Sequence, residues 1–324
     1  MKKIYTLSLL LACTLSFGQA SDAFLGTGSL NANGWISHSG TTPGQVSIVS
    51  GSLSYAGLTS QGNKTQITSG NTEDVSLSSA APLTTVGYYS AIINVLNTTG
   101  INATGDYSLM FGSMSTTASP TFSVFTARLF VKTGSVANTV NVGILNSSGG
   151  TVTPTFSGDF PINTPLFVVV KYTPSTNTAN LWINPLIGGT EGSPTLTNST
   201  GTGTAPTQLE RLAIRQGTST GNIEIDEVRI GSTWAYVTSA TLPINGFDAI
   251  SGLKIYPNPA KNLLNITSDS FETKNVAIYN VLGAQVLAAN VTNAPINVAN
   301  LAKGVYVVKV TEEGKTATRK LVIE

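Results

Sequence analysis

One cysteine, one histidine and a low charge density set this chain of 324 residues apart. The cysteine is Cys13, inside an N-terminal leader, so the exported chain is expected to have neither a disulfide framework nor thiol chemistry. The histidine, His38, sits in the turn-rich stretch WISHSGTTPG and is expected at the surface. Any zinc site or Ser–His triad would have to rely on this one residue. Charged residues are 10% of the chain, against about 25% in ordinary globular proteins. With a net charge of +1, no global field draws the chain to nucleic acid or anionic lipid. Beyond the leader there is no run of about 18 apolar residues, so no membrane span is expected.

Gly, Ser, Thr and Asn fill the space that charge leaves. These residues supply turns through backbone freedom and local hydrogen bonds. Hydrophobic residues make up 41%, too many for a disordered chain. At this length two domains fit, and the larger can hold itself by core burial.

The leader has Lys2 and Lys3, then the apolar run Ile4 to Leu15, then Gly18-Gln19-Ala20 before Ser21. That order describes a secretory signal peptide over 1–20. A competing reading takes Leu10-Leu11-Ala12-Cys13 as a lipobox, with Leu11 where a smaller residue is usual.

Residues 21–238 read as short strands between turn clusters: 86–96, 107–114, 125–134, 139–148, 166–174, 179–185, 209–217 and 222–231. LFVVVKYTP is continuously apolar, as in a central strand. TARLFVK alternates, as in a strand with one wet and one buried face. No segment shows a sustained helical period, so an antiparallel sandwich or jelly roll is expected. The order GDYSLMFG, ARLFVKTG, VNVGI, PLFVVVKYTPSTNTANLWINP, IEIDEVRIGSTWAYVT resembles extracellular concanavalin A-like or laminin-G-like modules. The resemblance implies that the late IDEVRIG strand returns beside the first strand, and that the domain binds carbohydrate.

The carboxylates Glu224, Asp226 and Glu227 are the one chemically suggestive cluster. Glu224 and Asp226 share a strand face. Laminarinase-type glycosidases, which this jelly roll resembles, carry E-x-D-x-x-E, with two glutamates flanking the scissile bond. Here the third position is Arg229, which can be neither nucleophile nor proton donor, and the catalytic pair is broken. The plainer reading is an edge-strand charge pair of Asp226 or Glu227 with Arg215 or Arg229. No cofactor is expected. Calcium on Asp22, Asp106 or Asp226 stays open, without the spacing that would specify it. For a sugar platform the candidates are Trp35, Tyr55, Tyr88, Tyr89, Tyr107 and Trp182, each also a natural core or rim residue. The polar stretch 188–208 is either a binding loop or a disordered excursion.

A linker, 239–252, leads to a Lys-rich end. Pro257-Asn258-Pro259 breaks the first strand into a rigid turn. A hairpin turns at Leu282-Gly283, and strands follow around Lys303-Gly304 and Glu313-Gly314. About seven short strands describe a small immunoglobulin-like sandwich. YPNPAKNLLNI, IYNVLGAQV, LAKGVYVVKV and KLVIE resemble, over 253–324, the type A C-terminal sorting domain of the Bacteroidetes type IX secretion system. The resemblance implies Sec export, recognition by the outer-membrane translocon, cleavage by its sortase, and release or attachment at the cell surface. The implied contact residues are Pro257, Asn258, Pro259, Gly283, Gly304, Tyr306 and Lys320. The expected fold is therefore all-β: a jelly-roll sandwich followed by a small immunoglobulin-like one. For the larger domain three readings stand: a glycan-binding or adhesive module, a glycan-cleaving enzyme, or a purely structural surface protein.

Overall fold

The computed structural model describes residues 18–40, 42–114, 122–150, 152–241, 250, 252–270, 272–280, 283–292, 294–312 and 315–324. Lys2, Lys3, Cys13, most of the linker, Leu282, Glu313 and Gly314 lie outside these. The chain divides into two compact units, Met1–Leu242 and Pro243–Glu324.

In chain order the first unit holds β1 (Ala20–Asp22), β2 (Ile36–Ser39), β3 (Ser47–Val49), β4 (Lys64–Ile67), β5 (Asp74–Leu83), β6 (Gly87–Ile101), β7 (Asp106–Met114) and β8 (Phe122–Thr133). Then come β9 (Thr139–Leu145), β10 (Thr155–Pro161), β11 (Leu166–Thr173), β12 (Thr178–Ile183), β13 (Leu196–Asn198), β14 (Leu209–Ile214), β15 (Thr220–Gly231) and the one-turn helix α1 (Trp234–Val237). All eight expected strands form. One sheet runs β13-β12-β11-β6-β15-β4-β3, and β1 also pairs with β15; the second runs β10-β9-β8-β7-β14-β5-β2. The late strand does return to the first, through Ser21↔Arg229 and its neighbours. Ala20, at the end of the expected leader, opens β1.

The two sheets face each other across a core of Val, Ile, Leu and aromatic side chains, among them Leu77, Tyr89, Ile93, Phe111, Leu129, Val142, Val168 and Ile225. Tyr89 on β6 crosses this core. Its hydroxyl donates to the Ala127 carbonyl on β8 at 2.7 Å, and its ring meets Phe111 edge-on at 5.1 Å. A buried tyrosine hydroxyl needs such a partner, and this one ties sheet to sheet.

The outer faces of the sheets differ. On the β6-containing sheet, Tyr88, Ile92, Phe167, Val169 and Trp182 point away from the main core and pack under Leu53, Leu58, Trp234, Tyr236 and Val237. Both faces of that sheet are thus covered, which is why Leu166–Val170 is apolar without alternation. The β8-containing sheet carries a smaller cluster on its outer face, Met110, Phe122 and Ala213 with Tyr107 and Phe125 packed against them.

The second unit has β16 (Lys254–Tyr256), β17 (Leu263–Thr267), β18 (Lys274–Tyr279), β19 (Gln285–Val291), β20 (Ile296–Asn297), β21 (Gly304–Glu312) and β22 (Lys315–Ile323). They form the sheets β16-β17-β20 and β19-β18-β21-β22, the expected seven-strand sandwich. Its core includes Leu264, Ile266, Val276, Ile278, Val308, Val310 and Leu321. A buried ion pair sits at its edge: Lys274 Nζ lies 2.8 Å from Glu312, with side chains 0% and 3% exposed. Lys274 also donates to the Ser270 and Glu272 carbonyls, and Ser268 donates to Glu312. Removing one partner of such a pair leaves the other charge desolvated and unmatched. Glu312→Ala is expected to cost the second unit about 3 kcal/mol. Amide hydrogen exchange in the whole chain checks this: Val276 and Val310 should lose protection while Val169 keeps it.

Candidate functional site

The carboxylate cluster lies on the covered sheet. Ile223, Ile225, Val228 and Ile230 enter the main core, so Glu224 and Asp226 point to the opposite face. A bulge interrupts the ladder between Asp226↔Ile92 and Arg229↔Ser90, and its extra residue, Glu227, takes φ 52°. The strand is interior, between β6 on one side and β4 and β1 on the other, so the expected edge-strand pair is corrected in its place. The partner is Arg229, which meets Glu227 at 3.4 Å with both side chains 0% exposed. Arg215 pairs instead with Asp106 at 2.9 Å. Glu224 meets Lys64 at 2.8 Å and accepts from Asn94.

Asp226 accepts from Ser52 Oγ at 2.6 Å, Leu53 N–H at 2.7 Å and Glu227 N–H at 2.7 Å. Glu227 accepts from Gln61 N–H at 2.8 Å, and Arg229 donates to the Ser239 carbonyl. Burial pushes Asp226 up to about 7, against the pull of those three donors. Together these groups pin the 52–61 loop and the strand's C-terminal extension over the sheet.

The outer face of the other sheet carries a different set. Ala127, Leu129 and Val131 of β8 enter the core, so Arg128, Phe130 and Lys132 face out. Phe130 and Tyr107 of β7 meet at 5.4 Å, and Phe130 and Phe156 of β10 at 6.3 Å. Arg215 lies 4.4 Å and Arg128 5.1 Å from the Tyr107 ring centroid. Lys132 Nζ lies 4.4 Å from that of Phe156. Rings and cations thus alternate across the strands. Phe156 packs against Gly143, where an added Cβ would come within 2.5 Å of the ring; only glycine gives the ring this seat. The row borders a cleft of about 650 Å³ lined by Arg128, Phe130, Lys132, Leu145, Pro154 and Phe156 among others.

The wall of the cleft at Ser148, Val152, Thr153 and Pro154 is backed by amide side chains. Asn146 donates to the Asn177 and Gly201 carbonyls at 2.6 and 3.0 Å and accepts from Gly201 N–H. Asn198 donates to the Thr153 carbonyl at 2.9 Å and accepts from Asn146 N–H. The 188–208 segment therefore supplies support to the cleft from behind. It contains β13, and its first turn is tied down by Trp182, Trp234, Tyr88 and Lys171.

Of the six aromatic candidates only Tyr107 belongs to this face. Trp35 and Tyr89 are in the main core, and Tyr55, Tyr88 and Trp182 in the cover of the other sheet. Phe130 and Phe156 were missed, although the alternation of TARLFVK already set Arg128, Phe130 and Lys132 on one side. His38 is more enclosed than expected. Its ring stacks on Phe122 at 4.4 Å, and burial lowers its pKa to about 4. The three aspartates considered for calcium are not brought together: Asp22 accepts from Trp35 and Phe24, and Asp106 and Asp226 have the partners given above.

In the second unit the motif residues gather at one end of the larger sheet. Tyr279 pairs with Val307, Val307 with Lys320, and Gly304 with Ile323. Ile323 bridges to Ala260, next to Pro259. Gly283, at φ 80°, turns the β18–β19 hairpin at this same end. Asn258 stands in for a missing strand: its amide donates to the Lys320 carbonyl at 2.8 Å and accepts from Val322 N–H at 2.9 Å. Pro257 and Pro259 on either side follow cis peptide bonds. Tyr306 is buried, its hydroxyl donating to the Ala302 carbonyl.

Residues 254–324 match the family described as the secretion system C-terminal sorting domain. Beta-agarase D of Zobellia galactanivorans is 38% identical over 73 residues, which are 22% of this chain and 15% of the agarase. Among solved structures, the globular domain of T. cruzi calreticulin aligns at 12% identity and TM-score 0.39, over 65% of this chain and 88% of that one. The VIP36 exoplasmic/lumenal domain in its Ca2+/Man2-bound form aligns at 14% identity and TM-score 0.38, over 68% and 90%. The C-terminal unit is thus a type IX sorting domain, and it addresses the chain to the cell surface or the extracellular space. Among the described residues no helix is long and apolar enough to cross a membrane.

Two expectations follow. Because Asp226 holds its proton to about 7 in the folded chain and to 3.8 ordinarily, it lowers stability progressively as pH rises from about 4 to 7. Asp226→Asn should flatten that fall in the difference between variant and parent, a comparison in which the opposite contribution of His38 cancels. At pH 8 the same change turns an amide N–H toward backbone or hydroxyl donors and should cost about 1–3 kcal/mol; thermal melts across pH measure both. Deleting 253–324 should leave the protein in the periplasm, as cell fractionation would show; normal arrival at the surface or in the medium contradicts the sorting role.

Proposed function

We propose that the first unit is a non-catalytic glycan-binding module, delivered outside the cell by the sorting domain. One observation carries this reading: the outer face of the β8-containing sheet bears a row of aromatic rings, with Phe130 8% exposed at its centre, beside a cleft that Phe130 and Phe156 help to line. Rings of this kind stack on the apolar faces of sugars, and polar groups around them meet the hydroxyls. The carboxylates that a glycosidase of this fold would need lie on the other outer face, engaged in pinning a loop and pairing Lys64. The mannose named for the VIP36 form is that protein's ligand and does not identify the one bound here.

For the sorting unit, we place the contact with the translocon and sortase at the sheet end that gathers Pro257, Asn258, Pro259, Gly283, Gly304 and Lys320. Val305 and Val307 stay 44% and 40% exposed there.

The test is a polysaccharide pull-down with the purified chain, with reducing-end assays in parallel. Binding without product release is expected. Phe130→Ala and Phe156→Ala should each weaken it about tenfold or more, since one buried ring anchor exceeds about 1.4 kcal/mol. Glu224→Gln should bind as the parent does. Reducing ends that appear with the parent and vanish in Glu224→Gln would instead establish the glycan-cleaving alternative.

A further inference from the structure

We infer that the polymer bound on the outer face of the β8-containing sheet is an anionic polysaccharide, whose sulfate or carboxylate groups meet Arg128 and Lys132. This rests on the glycan-binding reading and narrows its substrate class.

The observation is an accounting of cations. Between residues 18 and 241 the lysines and arginines are Lys64, Arg128, Lys132, Lys171, Arg211, Arg215 and Arg229. Lys64 is paired with Glu224, Lys171 with Glu191, Arg215 with Asp106 and Arg229 with Glu227. Among the described residues Arg128, Lys132 and Arg211 form no ion pair, and all three project from the same outer sheet face; the carboxylate that Arg128 feels, Asp106, is already paired with Arg215. Arg211 is committed inward, its guanidinium donating to the Ser76 hydroxyl and carbonyl. Arg128 and Lys132 both line the cleft.

They stand four residues apart on β8, with Phe130 between them on the same face, about 13 Å along the strand. Each is backed by rings, Arg128 by Tyr107 and Phe130 and Lys132 by Phe156. The rings hold the cations on the floor of the cleft and strip part of their water. Arg128 has one further tie, Nη2 to the Ser147 carbonyl at 3.1 Å, while its Nε is buried without a partner. A neutral glycan laid here would desolvate two cations and return no counter-charge. A chain carrying oxyanions beside apolar sugar faces satisfies both halves of the surface, and arginine forks fit sulfate and carboxylate alike.

The experiment uses the full chain with four probes: kappa-carrageenan for sulfate, alginate for carboxylate, neutral agarose, and single-stranded DNA as a polyanion without sugar rings free to stack. Carrageenan or alginate should bind at least tenfold tighter than agarose, and whichever is preferred names the oxyanion. That binding should weaken at least tenfold between 50 and 500 mM salt, because exposed charge pairs are screened. Lys132→Gln alone, and Arg128→Gln with Lys132→Gln, should reduce it at least tenfold while lowering the melting temperature by only a few degrees, as lost ring contacts of about 0.5–1 kcal/mol each would. Agarose binding equal to or tighter than carrageenan and alginate, or anionic binding indifferent to salt, overturns the inference but leaves glycan binding intact. Failure of all three polysaccharides, or DNA binding as tight as the best of them, removes the glycan-binding reading itself.

Discussion

The carboxyl of Asp226 accepts three hydrogen bonds where water does not reach, and that constraint decides which outer face of the sandwich the long connection covers. Two of its donors come from the 52–53 turn and one from the bulge beside it. A buried carboxyl without such donors would be too costly to keep. With them it draws a long connection down onto β15. Glu227 and Arg229 extend the same attachment to Gln61 and Ser239. Leu53 and Leu58 then find Ile92, Phe167 and Trp182 beneath them, and the sheet becomes buried on both sides. Charge that looks catalytic in one dimension acts here as a fastening. The bulge itself follows from it: an extra residue between Asp226 and Arg229 turns Glu227 off the regular ladder toward the loop.

The remaining outer face answers to different physics. Strand β8 alternates because one side enters the core and the other borders the cleft, so its outward residues are not fixed by the main core. Arg128, Phe130 and Lys132 occupy those positions. Their neighbours across the ladder, Tyr107 and Phe156, complete an alternation of rings and cations that favourable contacts of roughly 0.5–1 kcal/mol each hold in order. The amides of Asn146 and Asn198 tie Thr153 on the cleft wall to the 177 and 201 backbone behind it. A polar, weakly charged composition suits this arrangement: amides and hydroxyls can lock loops without placing competing charges near the cations.

Much of the framework was legible because strand signals are local. Apolar runs such as 166–170 and the alternation of 126–132 state both the element and its burial. The return of β15 to the first strand followed from the family resemblance, and the seven short strands of the sorting unit from its prolines, glycines and spacing. Strands such as β3, β5 and β10 were not legible, being short or rich in serine and glycine; their pairing is decided by neighbours far away in sequence. For the same reason the site was only half visible. The outward side of β8 could be read, but the seat of Phe156 over Gly143 depends on the register of β10 against β9. His38 was misjudged because its burial comes from Phe122, which lies on a strand outside the turn-rich stretch around it. The carboxylates were placed on the right strand but at the wrong depth, since sequence alone does not reveal which side of a sheet a loop will cover.

Low charge density gives each ionic group unusual diagnostic weight. On an ordinary surface, with about a quarter of residues charged, a lysine without a partner says nothing. In the first unit nearly every carboxylate has an identifiable duty: Glu73 caps the Gly44 and Val46 amides, Asp159 holds the turn at Ser135, and Glu191 joins Lys171 to Tyr88. The second unit is Lys-rich and differs; there Lys274 is buried against Glu312, and the uncharged amide of Asn258 covers a strand edge. In a first unit that pairs its cations this closely, two cations without an ion pair on the floor of a cleft are best understood as matched by something the chain does not carry.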